Sequence, residues 1–217
     1  MPRADVKICG IATPADYDVC AEAGARWIGM VFFPKSSRHL TLDTARALAD
    51  HADSYEGNGP KRVALTVDMN DEELNAVIQA TRPDFIQLHG NETPDHAKAI
   101  KARFNIPLIK AIRIGNISDL DACSLWDNIA DWLLLDAKSA SNDMPGGTGH
   151  RFDWNLLASY AGMANWMLAG GLNSENVAEA LAITGARALD VSSGVESTAG
   201  KKDHKLIRSF IHAAEMG

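Results

Sequence analysis

"VKICGIATPADYDVCAEAG", Val6 to Gly24, reads as a β-strand that hands over to a helix. The strand ends on the thiol of Cys9 and a hinge-like Gly10. The stretch that follows has helical character, with Pro14 well placed as an early helical residue and Gly24 as the stop. A thiol at the mouth of a strand is either a packing residue or a chemical group, and the rest of the chain has to distinguish the two.

The strand–helix unit recurs along the whole sequence. Strand-like runs follow at "WIGMVF" (27–32), "RVALTV" (62–67), "FIQLH" (85–89), "PLIKAI" (107–112), "WLLLDA" (132–137), "WMLAG" (166–170) and "ALDVS" (188–192). Helical spacing fills the intervals. Leu42, Ala45, Leu48 and Ala49 share one face of "TLDTARALADHA", and Leu206, Ile207, Phe210 and Ile211 form a stripe in "HKLIRSFIHAAE". "NDEELNAVIQA" starts on Asn70 as N-cap with acidic residues in its first turn, and "SENVAEALAITG" opens on Ser174 and closes on Gly185. Such alternation predicts a parallel sheet with helical crossovers. Eight units in 217 residues predict an α/β chain forming one (β/α)8 TIM barrel, a single domain over 1–217, in preference to an open doubly wound sheet of five or six strands. "HADSYEGNGPKR" (51–62) reads as a turn-rich connection, and "KSASNDMPGGTGHR" (138–151) as a functional loop.

Apolar residues make up 46% and charged residues 23%, as in ordinary globular proteins. The net charge of −7 argues against a nucleic-acid partner but leaves room for a small anionic ligand. The opening "MPRADVKICG" has no long apolar run, so neither a secretory signal nor a membrane partner is expected. Three cysteines (Cys9, Cys20 and Cys123) without metal-ligand spacing point to reduced thiols and a cytoplasmic location.

In a barrel, chemistry belongs at the C-terminal ends of the strands. Cys9 ends the first strand and Asp136 lies near the end of the sixth. A thiol with an ordinary pKa of roughly 8.5 can act as base, and a nearby cation or helix terminus would increase its thiolate fraction. A carboxyl behind three leucines should have a raised pKa and can act as acid. The alternatives are a packing cysteine and a turn-capping aspartate. Gly170 and Gly171 after strand seven, with Ser192, Ser193 and Gly194 after strand eight, suit a phosphate cup of backbone amides and hydroxyls, although plain turns favour the same residues. Arg38, after strand two, could clamp a carboxylate with two parallel hydrogen bonds or be a solvated charge. Lys7 shares the face of Cys9, points into the barrel, needs a carboxylate partner and reads as structural. Cys20 and Cys123 fall in predicted helices and read as packing residues.

Taken in order, "KICG", "FFPKSSRHL", "QLHGNE", "LLLDAK" with "PGGTG", "AGGLNSENV" and "DVSSGVES" resemble the phosphoribosylanthranilate isomerase family over about Val6 to Phe210. The resemblance implies a cofactor-free, metal-free Amadori rearrangement of a small-molecule substrate in tryptophan biosynthesis, by a monomer or homodimer. It casts Asp136 as the general acid that opens the sugar ring and Cys9 as the general base that removes the C2′ proton. Arg38 would hold the anthranilate carboxylate, and the residues around Gly170, Gly171, Ser192, Ser193 and Gly194 the phosphate. Gly147 in "PGGTG" joins the substrate-binding set, beside Thr148, where the family pattern carries Asn. His89 is either a substrate contact or a structural hydrogen-bond partner; Asp190 either touches a substrate hydroxyl or orders strand eight. Gly10 would let the chain turn away without a side chain blocking the site.

Rival readings are a sugar-phosphate epimerase, an indole-glycerol-phosphate synthase and a non-catalytic binder of an anionic metabolite. The first wants His and Asp metal ligands at several strand ends, the second strand-end lysines as acid and base. The third needs no acid–base pair at all.

Overall fold

A computed structural model describes residues 3–137, 154–158, 160, 162 and 164–217. Eight strands form a closed parallel barrel in sequence order: β1 (Asp5–Cys9), β2 (Trp27–Phe32), β3 (Lys61–Thr66), β4 (Phe85–Leu88), β5 (Leu108–Ile114), β6 (Trp132–Ala137), β7 (Asn165–Ala169) and β8 (Ala188–Val191). The barrel closes where β1 pairs with β8, placing Lys7 opposite Asp190. All eight strand runs expected from the sequence are present, with ends that agree to within two residues and those of β2 and β6 matching outright.

The crossovers are α1 (Pro14–Ala23), α2 (Leu42–Ser54), α3 (Asp71–Thr81), α4 (Pro94–Phe104), a 3-10 helix (Ile117–Trp126), α5 (Asn155–Ala158) and α6 (Val177–Thr184); α7 (His204–Met216) follows the last barrel strand. The expected punctuation is in place. Thr13 caps α1 ahead of Pro14, and Gly24 ends it at φ 84°. Asn70 and Glu73 form a capping box at the start of α3. Cys123 lies in a helix as expected, of the 3-10 kind; that segment carries Ser118, Asp119, Asp121 and Ser124, whose short polar side chains compete for backbone groups, as the Ser124 hydroxyl does for the Asp121 carbonyl. One expectation needs correction. Helix α6 begins at Val177 because the Asn173 side chain accepts from the Glu175 and Asn176 amides, closing a separate turn over Ser174. Among the described residues no helix is long and apolar enough to cross a membrane.

Strand alternation sorts the core into two shells. Val6, Ile8, Ile28, Met30, Leu133 and Leu135 face outward into the helix layer. Trp27, Val63, Ile109, Leu134, Met167 and Ala188 fill the barrel's interior. Towards the C-terminal mouth the interior becomes polar, with Lys7, Gln87 and Asp190 all buried. Beyond β8 the chain makes a short 3-10 turn (Ser193–Val195) and then a hairpin, β9 (Glu196–Thr198) and β10 (Lys201–Lys202), which the sequence reading did not foresee.

Candidate active site

At the C-terminal mouth lies a cavity of about 490 Å³ bordered by Cys9, Arg38, His89, Asp136, Gly170, Gly171, Asp190, Ser192 and Ser193. Nine of the eleven residues singled out from the sequence therefore converge on one space. Gly194 does not line it. A β-carbon there would collide with the Leu172 carbonyl, so this glycine lets the loops after β7 and β8 pack together. Gly147 and Thr148 lie outside the described residues.

Asp136 stands on β6 with Leu134, the one member of the triple leucine that shares its inward face; Leu133 and Leu135 point to the helices. Burial, reinforced by the charge of Asp190 and opposed by Arg113, raises its carboxyl from 3.8 to about 6. Arg113 sits beside it in register on β5, one residue past the strand end read from the sequence.

Cys9 ends β1 with 5% exposure. Lys7 and Lys202 supply nearby cations, yet its thiol pKa is pushed up: burial and Asp190 outweigh their opposing pull. Cys9 is thus a thiol at rest. Cys20 and Cys123 are buried free thiols outside the cavity.

Two turns after β2, from the Ser36 amide to the Phe33 carbonyl (2.8 Å) and from the His39 amide to the Ser36 carbonyl (3.1 Å), carry Arg38 back over Gly10. Gly10 has φ 85°, and a β-carbon on it would lie 2.6 Å from Arg38 Cδ. Gly10 therefore lets both the backbone turn and the arginine stem cross the strand mouth. The guanidinium is not a free clamp: Nε and Nη2 each donate to the Glu196 carboxylate at 2.6 Å. Glu196 also accepts from Lys202 Nζ at 2.8 Å, and Lys202 donates to the Ser192 carbonyl at 2.9 Å. Burial alone would raise the Glu196 carboxyl, but Arg38, Lys202 and the Gly200 amide hold it at about 2. The Ser192 hydroxyl is turned to the Cys9 carbonyl at 3.1 Å. Gly170 and Gly171 adopt φ 97° and 63°, conformations open to glycine at little penalty.

His89 receives the Gln87 amide nitrogen on Nδ1 at 2.9 Å, which leaves the ring proton on Nε2. Burial lowers its pKa to about 4, so it is a neutral donor at pH 7. Glu92 of the "QLHGNE" motif is structural: it accepts from the Asp68 and Gly90 amides and from buried Lys110. Lys7 has the carboxylate it requires, donating to Asp190 Oδ1 at 2.7 Å with no exposure of its side chain.

Sequence reading missed Glu196, Lys202 and Arg113. Glu196 was in view within "DVSSGVES" but was passed over for the neighbouring serines. Arg113 was cut off by a strand boundary set too early. For Lys202 the only signal was a short Ala-Gly turn between two polar runs.

The sequence model of the N-(5'-phosphoribosyl)anthranilate (PRA) isomerase family matches residues 6–213. The chain is 47% identical over 213 residues to the N-(5'-phosphoribosyl)anthranilate isomerase of Parvibaculum lavamentivorans, covering 97% of each. It is 46% identical over 210 residues to that of Brucella canis, covering 96% of this chain and 93% of the relative. Among solved structures, the phosphoribosyl anthranilate isomerase of Thermotoga maritima superposes with a TM-score of 0.86 at 35% identity, covering 99% of this chain and 100% of that one. A phosphoribosyl anthranilate isomerase in complex with reduced 1-(o-carboxyphenylamino)-1-deoxyribulose 5-phosphate gives 0.83 at 33% identity with the same coverage. With its barrel fold and these likenesses in agreement, the chain belongs to the N-(5'-phosphoribosyl)anthranilate isomerase family.

Proposed function

We propose that the chain converts N-(5-phosphoribosyl)anthranilate to 1-(2-carboxyphenylamino)-1-deoxyribulose 5-phosphate in tryptophan biosynthesis, with Asp136 as general acid and Cys9 as general base. The observation that carries the residue roles is that both line one cavity, with a carboxyl raised towards neutrality on one wall and a thiol beside two ammonium groups on the other. The solved relative named with a reduced product supports the same reading, since that molecule has a carboxyl at one end and a phosphate at the other.

Asp136 gives its proton to the furanose ring oxygen; the C1′–O bond breaks and the nitrogen lone pair forms an iminium. The Cys9 thiolate then takes the C2′ proton, and the C–H electrons move into the iminium to give an enolamine, which tautomerises to the ketone. One carbon is oxidised as its neighbour is reduced, so the balance closes without an outside hydride. Arg38, aimed by Glu196, faces the anthranilate carboxylate. The loops at Gly170, Gly171 and Ser193 meet the phosphate, and neutral His89 and Asp190 border the sugar. Gripping both ends holds C2′ between acid and base, a positioning effect worth about 7–11 kcal/mol in ideal cases.

The test is incubation with freshly made phosphoribosylanthranilate, following loss of its fluorescence. Cys9→Ala and Asp136→Asn should each lose roughly 10²–10⁴ in turnover while still binding a phosphate ligand. Near-normal turnover in Cys9→Ala would remove it as the base. Ligand binding without turnover by the unaltered chain would favour the metabolite-binder reading.

A further inference from the structure

The interior position of β2 opposite Cys9 is Gly29. A β-carbon on it would lie 2.9 Å from Cys9 Sγ and 3.1 Å from Lys7 Nζ, so the thiol and the ammonium border the same small space. A purely structural ion pair would need only Lys7 and Asp190. It would not need an inward glycine that keeps a third group, the thiol, within reach of the ammonium.

The charges near the sulfur can be followed through the packed elements. Lys7 lies on the same strand, Asp190 across the seam on β8, Arg38 on the loop over Gly10, and Lys202 with Glu196 on the β9–β10 hairpin. Gly29 contributes none from β2. Three cations against two carboxylates leave one positive charge, and a Cys9 thiolate cancels it. Burial outside such a cluster would leave a thiolate uncompensated, which is strongly unfavourable.

We propose that Lys7 is a positioning residue for the base: its buried ammonium, shared between Asp190 and Cys9, is the counter-ion that lets the thiol ionise for catalysis. In that step the S–H bond breaks heterolytically, the electron pair stays on sulfur, and the proton leaves through the cavity to water. Asp190 competes with sulfur for the same ammonium, so a sugar hydroxyl that engages Asp190 frees the cation for the thiolate. The proposal rests on Cys9 being the base.

The experiment follows alkylation of Cys9 by iodoacetamide against pH in the intact chain, read peptide by peptide so that Cys20 and Cys123 do not interfere. Lys7→Met should move the midpoint up by about two units, a roughly hundredfold slower reaction at a fixed pH below it. Asp190→Asn should move it down, because the ammonium then belongs to the sulfur alone. A role confined to holding the fold would shift neither midpoint, or both the same way, and would overturn the proposal. Turnover of Lys7→Met should fall about a hundredfold in kcat with KM within about threefold, matching the lost thiolate. A shifted midpoint with unchanged kcat would instead sink Cys9 as the base. Should Lys7→Met fail to fold, the double variant Lys7→Met/Asp190→Asn removes the pair together and should still show an upward shift, smaller than that of Lys7→Met because the opposing carboxylate is lost with the ammonium; a midpoint unmoved or lowered overturns the proposal. The unaltered protein offers a further reading: with 13C-labelled lysine, the Cε signal of Lys7 should register the Cys9 titration at the same midpoint, and a flat signal there overturns the proposal.

Discussion

Cys9 and Asp136 carry pKa values displaced so that the working form is the less populated one: thiolate with un-ionised carboxyl. This fixes the shape of the pH dependence. Below about pH 6 the carboxyl is already protonated, and each unit of acidification removes tenfold of the thiolate. Between pH 6 and the thiol midpoint, the loss of Asp136 proton is offset by the gain of Cys9 thiolate. Above that midpoint only the loss remains. We therefore expect kcat/KM to rise with unit slope to about pH 6, stay flat across neutrality and fall at high pH. A steady rise from pH 6 to 8 would mean that Asp136 need not hold a proton. At this scale the sequence was informative about place and poor about state. Cys9 and Asp136 were legible because strand ends are where a barrel puts chemistry. The direction of the thiol shift was not, because it depends on burial and on Asp190, 181 positions away in the chain but adjacent across the seam.

Elements account for much of the site's aim. The β9–β10 hairpin reaches back over the mouth, and its Gly200 packs where a β-carbon would meet the Ser37 carbonyl at 2.5 Å. Glu196 at its start fixes one edge of the Arg38 guanidinium, and Lys202 at its end holds the backbone of Ser192. Hairpin, arginine loop and eighth-strand loop thus form one assembly. Glu196→Gln removes the charge that orients Arg38, and it should raise KM by about tenfold while kcat changes by less than about threefold. Steady-state kinetics with the isomerase substrate check this; an unchanged KM would show that Arg38 is held well enough without it. Apolar patterning revealed every barrel strand because each must bury both faces and so reads as a short, nearly continuous apolar run. It could not reveal β9 and β10, which are too short to carry a pattern, and it misplaced the start of α6 because Asn173 makes its own turn first. The interior role of Lys7 was half legible: alternation aimed it inward, but only the void left by Gly29 shows that its ammonium borders the same space as the sulfur.

For the whole molecule, holding a reactive carboxyl in an apolar wall has a consequence for stability. The Asp136 carboxyl titrates at about 6 in the fold and near 3.8 when unperturbed, so the folded state favours the protonated form. Folding stability is therefore lost as pH rises from about 4 to about 6, and the loss persists above that. Asp136→Asn should melt roughly 4–8 °C higher than the unaltered chain at pH 8, with the gap closing at pH 4, while activity is lost. Thermal unfolding at the two pH values tests it, and an equal gap at both would mean a packing effect. Closure of the barrel was legible from counting strand–helix units, since a sheet of eight successive parallel strands leaves two edges that can pair with each other. That closing seam joins Lys7 to Asp190 across 183 positions of chain. Local contacts can assemble the intervening units early, but an ammonium cannot enter a dry interior ahead of its carboxylate without a large penalty. The docking of the last strand is accordingly expected to coincide with the neutralisation of Lys7, and a chain cut before the eighth strand should leave its first strand open to water.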